Sequence, residues 1–214
     1  MIWLSNELVF PPLDLATEDG VLALGGDLSV SRLILAYKNG IFPWFNEGEP
    51  IVWYAPWERM VLFPDKIKVS KSMKQVLRKK NFVITENKAF EEVIFNCKYI
   101  DRQDQYGTWI TDDMQKAYLK LHEVGFAKSI EVWQFDTNLN QNILVGGLYG
   151  VDLGNGVFCG ESMFSNVSNM SKIAFIHLAT ECNYKLIDCQ VYNKHLASLG
   201  AYEISRDLFL KYLR

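Results

Sequence analysis

At 214 residues, with 49% apolar side chains, the chain is long enough to bury the core of one domain, or of one domain and a small companion. Its formal charge of −3 argues against a protein that grips nucleic acid along many phosphates, and leaves room only for a small footprint. No apolar run reaches membrane-spanning length, and Met1–Ser5 carries no basic leader, so the expectation is a cytoplasmic protein with no membrane partner.

The predicted elements run as follows. Ser29 caps a helix whose apolar side carries Leu33, Ile34, Ala36 and Tyr37, and Gly40 stops it. Phe42-Pro-Trp-Phe45 and the polar turn Asn46 to Pro50 lead to a short strand, Ile51 to Tyr54. Pro56 and Pro64 punctuate the next passage and place a domain boundary near residue 60, giving segments 1–60 and 61–214. Ser72 to Lys79 reads as a basic helix, Phe82 to Thr85 as a strand, and Asn87 as the cap of a helix reaching Cys97. Lys98 to Gly107 is polar and reads as a mobile loop. Thr111 caps the next helix, with Asp112 and Asp113 in its first turn, where the helix dipole favours them, and Gly125 at its end. Strands are expected at Ala127 to Phe135, Ile143 to Val151 and Val157 to Phe164, with a hairpin-like turn at Asp136 to Asn142. A helix from Asn169 to Cys182 leads to a strand, Lys185 to Cys189. A short helix near Lys194 to Leu199, a strand at Tyr202 to Ile204 and a helix capped by Ser205 complete the chain. Hairpins mixed with strand–helix units make the fold α+β or mixed α/β.

Three apolar runs carry features that a plain core strand avoids: Gly146 to Gly150, Phe158 to Ser165 with Glu161, and Leu186 to Gln190 with Asp188. Burying an ionised carboxylate costs several kcal/mol unless it is paired or functional. Alternation along a strand puts Asp188 and Gln190 on one face, where an acceptor and an amide can serve one ligand. Two plain alternatives stand beside this: Asp188 and Gln190 end a strand at the surface, and Gly160 simply sets a turn at Glu161. The cysteines, Cys97, Cys159, Cys182 and Cys189, form no CxxC, and the histidines are scattered, so neither a disulfide scaffold nor a metal site is expected. Lys66, Lys68, Lys71, Lys74, Arg78, Lys79 and Lys80 cluster between residues 66 and 80, a pattern that also describes an ordinary solvated helix face.

Several runs together resemble the leucyl/phenylalanyl-tRNA–protein transferases: Val21-Leu-Ala-Leu-Gly-Gly-Asp-Leu-Ser29, Gly40-Ile-Phe-Pro-Trp-Phe45, Thr108-Trp-Ile110, Leu121-His122, Ser129-Ile-Glu-Val-Trp133, Phe158 to Ser165, Leu186 to Gln190 and Ser198-Leu-Gly-Ala201. They cover most of residues 20 to 214 in order. The resemblance implies a small N-terminal α+β domain and a C-terminal domain like the GNAT acyltransferases. It implies an aminoacyltransferase reaction: Leu or Phe (and Met) moves from Leu-tRNA or Phe-tRNA to the N-terminal Arg or Lys of a protein. The product is a destabilising N-terminus read by the Clp protease adaptor, and no cofactor is implied.

By position, Asp188, Gln190 and Glu161 match the residues of the reacting centre, with Asp188 orienting Gln190. The aminoacyl side chain would lie among Leu148, Phe158, Met163, Phe175, Leu178 and Ile187, which are equally the makings of ordinary core. Trp44, Trp109 and Tyr118 match aromatics that contact the terminal adenosine or shape the site, and Lys71 and Lys74 match the segment facing the acceptor stem. Tyr54-Ala-Pro56 and Met170 depart from the common pattern, where Trp-Ser-Pro and alanine are usual. Three competing readings remain: an acetyl-CoA-dependent N-acetyltransferase, which would need a glycine-rich pyrophosphate loop before the Asn169 helix; a cysteine acyltransferase using Cys189 or Cys159 with His195, in which Asp188 would oppose thiolate formation; and a non-catalytic RNA- or peptide-binding module.

Overall fold

The structure is a computed structural model, and it describes residues 1–100 and 108–214. Most of the polar segment read as a loop from Lys98 lies outside the described residues, but Lys98 and Tyr99 themselves are helical. Among the described residues, no helix is long and apolar enough to cross a membrane.

The first part of the chain builds a four-stranded sheet from β1 (Trp3–Leu4), β2 (Val21–Gly25), β3 (Phe42–Pro43) and β4 (Val52–Tyr54), in the order β1-β2-β4-β3. Helix α1 (Val30–Lys38) starts where the Ser29 hydroxyl accepts the Arg32 N–H at 3.3 Å, and the chain leaves it through Gly40 at φ +73°. Leu33, Ala36 and Tyr37 are buried and Ile34 partly so. Arg32 is buried too, because its guanidinium reaches Asp27 at 3.2 Å and the carbonyls of Ser5 and Glu7 at 3.1 Å each. It ties the amino-terminal segment to α1.

A seven-stranded sheet follows: β5 (Glu58–Leu62), β6 (Val83–Glu86), β7 (Ala127–Asp136), β8 (Gln141–Asp152), β9 (Val157–Ser165), β10 (Leu186–Gln190) and β11 (Tyr202–Ser205), in the order β11-β5-β10-β9-β8-β7-β6. Strands β6 to β9 form an antiparallel meander. Strand β10 runs parallel to β9, and β5 is antiparallel to both β10 and β11. The helices are α2 (Lys71–Lys79), α3 (Phe90–Tyr99), α4 (Asp112–Glu123), α5 (Met170–Glu181), α6 (Lys194–Ser198) and α7 (Arg206–Leu213). This is an α+β fold. Ser70, Thr111 and Ser205 cap α2, α4 and α7 through N–H···O bonds of 3.1 to 3.3 Å, each worth about 1 kcal/mol.

One apolar cluster joins α3, α4 and the first sheet through Leu22, Trp53, Val93, Tyr118 and Tyr149. The other lies under α5 and α2 through Ile173, Phe175, Phe158, Ile187 and Met73. The first sheet draws on residues up to Tyr54 and the second begins at Glu58, yet the first cluster runs through both. Helix α5 can cross β8 closely because residue 146 is glycine, and a Cβ there would overlap Met170.

Two local expectations change. Asn87 does not cap α3: it adopts φ +56°, and its side chain accepts the Ser129 N–H at 3.0 Å. Instead the buried carboxylate of Glu131, on β7, accepts the Lys88 and Ala89 N–H groups at 3.3 and 3.4 Å, so a neighbouring strand serves the start of that helix. Helix α2 begins at Lys71, one residue earlier than read, because Ser70 takes the cap. Strand β5 lies inside the second sheet, between β10 and β11, and spans the position near residue 60 where Pro56 and Pro64 place a domain boundary.

Candidate active site

Asp188 is fully buried near the end of β10. Its carboxylate forms a two-point pair with Arg59 of β5: Arg59 Nε donates to Oδ1 at 2.7 Å and Nη2 to Oδ2 at 2.6 Å. Arg59 also donates through Nη1 to the Gly40 carbonyl at 3.1 Å, and the rings of Phe42 and Phe209 sit 4.6 and 4.7 Å from its guanidinium carbon. Burial works against the guanidinium's charge, but Asp188, with smaller contributions from Cys159 and Glu161, outweighs it, and the Arg59 pKa lies above its ordinary value. A buried charge pair persists when its geometry is good and its remaining polar atoms are satisfied, as here.

This pair shapes the residue that follows. Strand β10 slips by one residue against β5 between Asp188 and Gln190, and Gln190 sits at φ +64°, a left-handed conformation unusual for a residue with a side chain. Asp188 Oδ1 accepts the Gln190 backbone N–H at 2.8 Å, which holds the turn. Strand alternation therefore breaks at Gln190, and Asp188 positions its backbone rather than its amide.

The Gln190 amide goes elsewhere, donating through Nε2 to Glu161 Oε1 at 2.8 Å. Tyr37 of α1 donates to the same oxygen at 2.7 Å, and Tyr118 of α4 donates to Oε2 at 2.9 Å. The two tyrosine hydroxyls also bond each other in a very short contact. Three oxygen–oxygen contacts thus meet only two hydroxyl protons, so the ring is complete when Glu161 carries a proton of its own. Electrostatics agree. Burial pushes the Glu161 carboxyl from 4.5 up to about 7, against the lowering bonds from Tyr37 and Tyr118, while Asp188 adds to the rise and Arg59 opposes it. Burial, reinforced by Glu161, also holds both tyrosines well above their ordinary range, so they stay protonated.

Glu161, Asp188 and Gln190 lie on one wall of a pocket of ≈ 300 Å³. The six residues expected as an apolar cavity all line it: Leu148 from β8, Phe158 and Met163 from β9, Phe175 and Leu178 from α5, and Ile187 from β10. Trp44 and Trp109 also face it, and Trp44 is exposed. Tyr118 does not line it; it is buried behind Glu161 as a hydrogen-bond donor. Lys71 and Lys74 stand exposed on α2, off the pocket wall.

The sequence reading missed Arg59 and the role of Tyr37. A charged residue directly before the apolar run Met60-Val-Leu62 was the available signal for Arg59, since the improbable Asp188 carries the opposite charge. The cysteines are poorly placed as nucleophiles: burial first and Asp188 next push both Cys159 and Cys189 thiols up. The arrangement suits a different chemistry, in which an apolar side chain is held beside a carboxyl able to exchange a proton near neutrality.

Residues 61–214 match the family described as leucyl/phenylalanyl-tRNA protein transferase, and residues 26–56 match the N-terminal domain of that family. Proteins named leucyl/phenylalanyl-tRNA--protein transferase from Flavobacterium johnsoniae and Flavobacterium psychrophilum are 59% and 58% identical, over all of this chain and 99% and 100% of theirs. One from Syntrophus aciditrophicus is 54% identical over 99% of this chain and 87% of its own length. Among solved structures, the crystal structure of FemX aligns with a TM-score of 0.47 at 12% identity, over 70% of this chain and 60% of that one, a likeness too slight to carry an argument. The agreement in sequence along the whole chain is decisive: this protein belongs to the leucyl/phenylalanyl-tRNA–protein transferase family.

Proposed function

We propose that this protein moves Leu or Phe, and also Met, from aminoacyl-tRNA to the N-terminal amine of a protein that begins with Arg or Lys. The observation that carries the proposal is the apolar pocket that ends at the Glu161–Gln190 pair. Its walls suit an unbranched-at-Cβ apolar side chain, and a polar one would lose water there without gaining a partner. Ile and Val are disfavoured by shape, by about 1–3 kcal/mol.

The aminoacyl ester is already activated, so the work of the site is alignment, deprotonation and stabilisation of the developing oxyanion, and the chemistry draws on no cofactor. The amine nitrogen attacks the ester carbonyl carbon, the C–N bond forms, and the bond to the ribose oxygen breaks. Glu161, with its carboxyl near 7, accepts the proton that the amine sheds and can return it to the leaving ribose oxygen. Gln190 stands beside the reacting atoms, held by Glu161 through its side chain and by Asp188 through its backbone. Asp188, neutralised by Arg59, acts as a positioning residue. Trp44 and Trp109 offer faces on which the terminal adenosine can stack, worth roughly 1–3 kcal/mol, and Lys71 and Lys74 would meet the acceptor-stem phosphates. The reaction belongs in the cytoplasm, where charged tRNA is found, and its product is a degradation signal for the Clp protease adaptor.

The test is transfer of labelled leucine from Leu-tRNA to a peptide beginning with Arg. Label should appear in peptide linkage there and not in a peptide beginning with Glu; no peptide-bound label would refute the proposal.

A further inference from the structure

Away from the pocket, three chemically different donors meet where the edge strand β6 passes the end of α5. Glu86 closes β6, His177 lies within α5, and Cys182 is the first residue beyond it. His177 Nε2 and Glu86 Oε1 are 2.9 Å apart, and Cys182 Sγ lies 3.8 Å from the same oxygen. All three donor atoms fall within 4.8 Å of one another. The sequence hides this group. Cys182 lies five positions after His177, about 140° round a continuous helix, a spacing that does not announce a ligand pair.

We propose that Glu86, His177 and Cys182 bind a divalent metal ion of the zinc kind, with water in the fourth position. Bonds of about 2.0–2.1 Å to nitrogen and oxygen and about 2.3 Å to sulfur set tetrahedral edges of roughly 3.3–3.6 Å between donors. The nitrogen–oxygen edge must open by a few tenths of an ångström, the sulfur–oxygen edge must close by about as much, and the nitrogen–sulfur edge, bounded at 4.8 Å, must close by up to about 1.2 Å, which a turn of the Cys182 side chain at the helix end would have to supply. The donor set chooses the metal: mixed imidazole, thiolate and carboxylate ligands suit zinc, whereas magnesium and calcium require oxygen alone. The Glu86 side chain is 52% exposed and that of His177 20%, so the fourth position opens to water. The carboxylates of Glu181, next to Cys182, and of Asp152, bonded to Tyr184 at 3.1 Å, add negative charge to this corner.

On binding, the Cys182 S–H proton passes to solvent as the metal–sulfur bond forms. His177 ligates through the Nε2 lone pair with its proton on Nδ1, exchanging its contact with Glu86 for the metal. No electron changes hands. The ion would clamp the sheet edge to α5, the helix that gives Phe175 and Leu178 to the pocket wall. It is a structural site, apart from Glu161 and Gln190. The competing reading is that His177 and Glu86 form a simple surface ion pair with a thiol nearby.

Cobalt(II) titration of the metal-free full chain separates the two, because a thiolate–cobalt bond produces a near-ultraviolet charge-transfer band. One equivalent should saturate the band, and zinc should abolish it by displacement. The band should persist in Cys189→Ser and vanish in Cys182→Ser. His177→Gln should weaken cobalt binding by about tenfold or more, since even residues that only support a metal's ligands cost 10–100-fold when lost. A circular dichroism spectrum shared by all variants would establish that they fold. No band up to ten equivalents, or a band that survives Cys182→Ser, would overturn the proposal.

Discussion

Replacing Glu161 with Gln should make the protein more stable at alkaline pH while stopping transfer. The Glu161 carboxyl is raised from 4.5 to about 7 by burial among Tyr37, Tyr118 and Gln190. One pKa unit corresponds to about 1.4 kcal/mol, so an ionised Glu161 costs the folded state about 3 kcal/mol. The sign follows from proton binding. Between pH 4.5 and 7 the folded state holds a proton that the unfolded chain has released, so stability is complete below 4.5 and falls as pH rises through 7. Glutamine keeps the shape of the protonated acid and never ionises. Its advantage over the wild type should therefore grow by about 2–3 kcal/mol between pH 5 and pH 8.5, or about 5–10 °C in Tm for a chain of this size. The assay is urea or thermal unfolding of both proteins at the two pH values. The same variant should transfer at least tenfold more slowly. It should also lose the inflection near 7 in its pH–rate profile, leaving only that of the acceptor amine near 8. A stability difference that is the same at pH 5 and pH 8.5 would refute the burial of an ionising carboxylate at this position.

Asp188→Ala should cost about 3–5 kcal/mol of unfolding free energy, because it strands the Arg59 guanidinium in the core, whereas Gln190→Ala should unfold like the wild type; both should transfer more than tenfold more slowly. Denaturation midpoints and single-turnover transfer rates measure this, and wild-type transfer by both variants would remove the pair from the mechanism. Cys159→Ala and Cys189→Ser should each keep substantial transfer activity, since both thiols are held protonated; trapping an aminoacyl-enzyme thioester would contradict this. Lys71→Ala combined with Lys74→Ala should weaken aminoacyl-tRNA binding and reduce the salt slope by about two, measured by filter binding across a salt series, and an unchanged slope would put the phosphate contacts elsewhere.

The sequence by itself determined the local order of this protein. Side-chain oxygens at Ser29, Thr111 and Ser205 announce helix starts because a cap needs only the N–H groups a few residues ahead. The strands from Ala127 to Ser165 are legible because alternation and turn residues are local signals. The improbable carboxylates Glu161 and Asp188 stood out for the same reason, residue type within a short window, whereas the six apolar residues that line the pocket came only from the family resemblance, because apolar type alone does not separate a pocket wall from ordinary core. What those residues touch is not local. Arg59 lies 129 positions from Asp188, and Tyr37 lies 124 from Glu161. Their segments read otherwise in sequence: the prolines that flank β5 read as punctuation rather than as the ends of a strand inside the sheet, and Tyr37 looks like one more apolar contact of α1. Only the tertiary structure decided that Asp188 is neutralised and positions a backbone, that Tyr118 bonds a carboxyl rather than facing the pocket, and that Glu161 holds its proton near neutrality. Charge and proton affinity depend on distance and burial in space, and the chain sets those only when its separated segments pack.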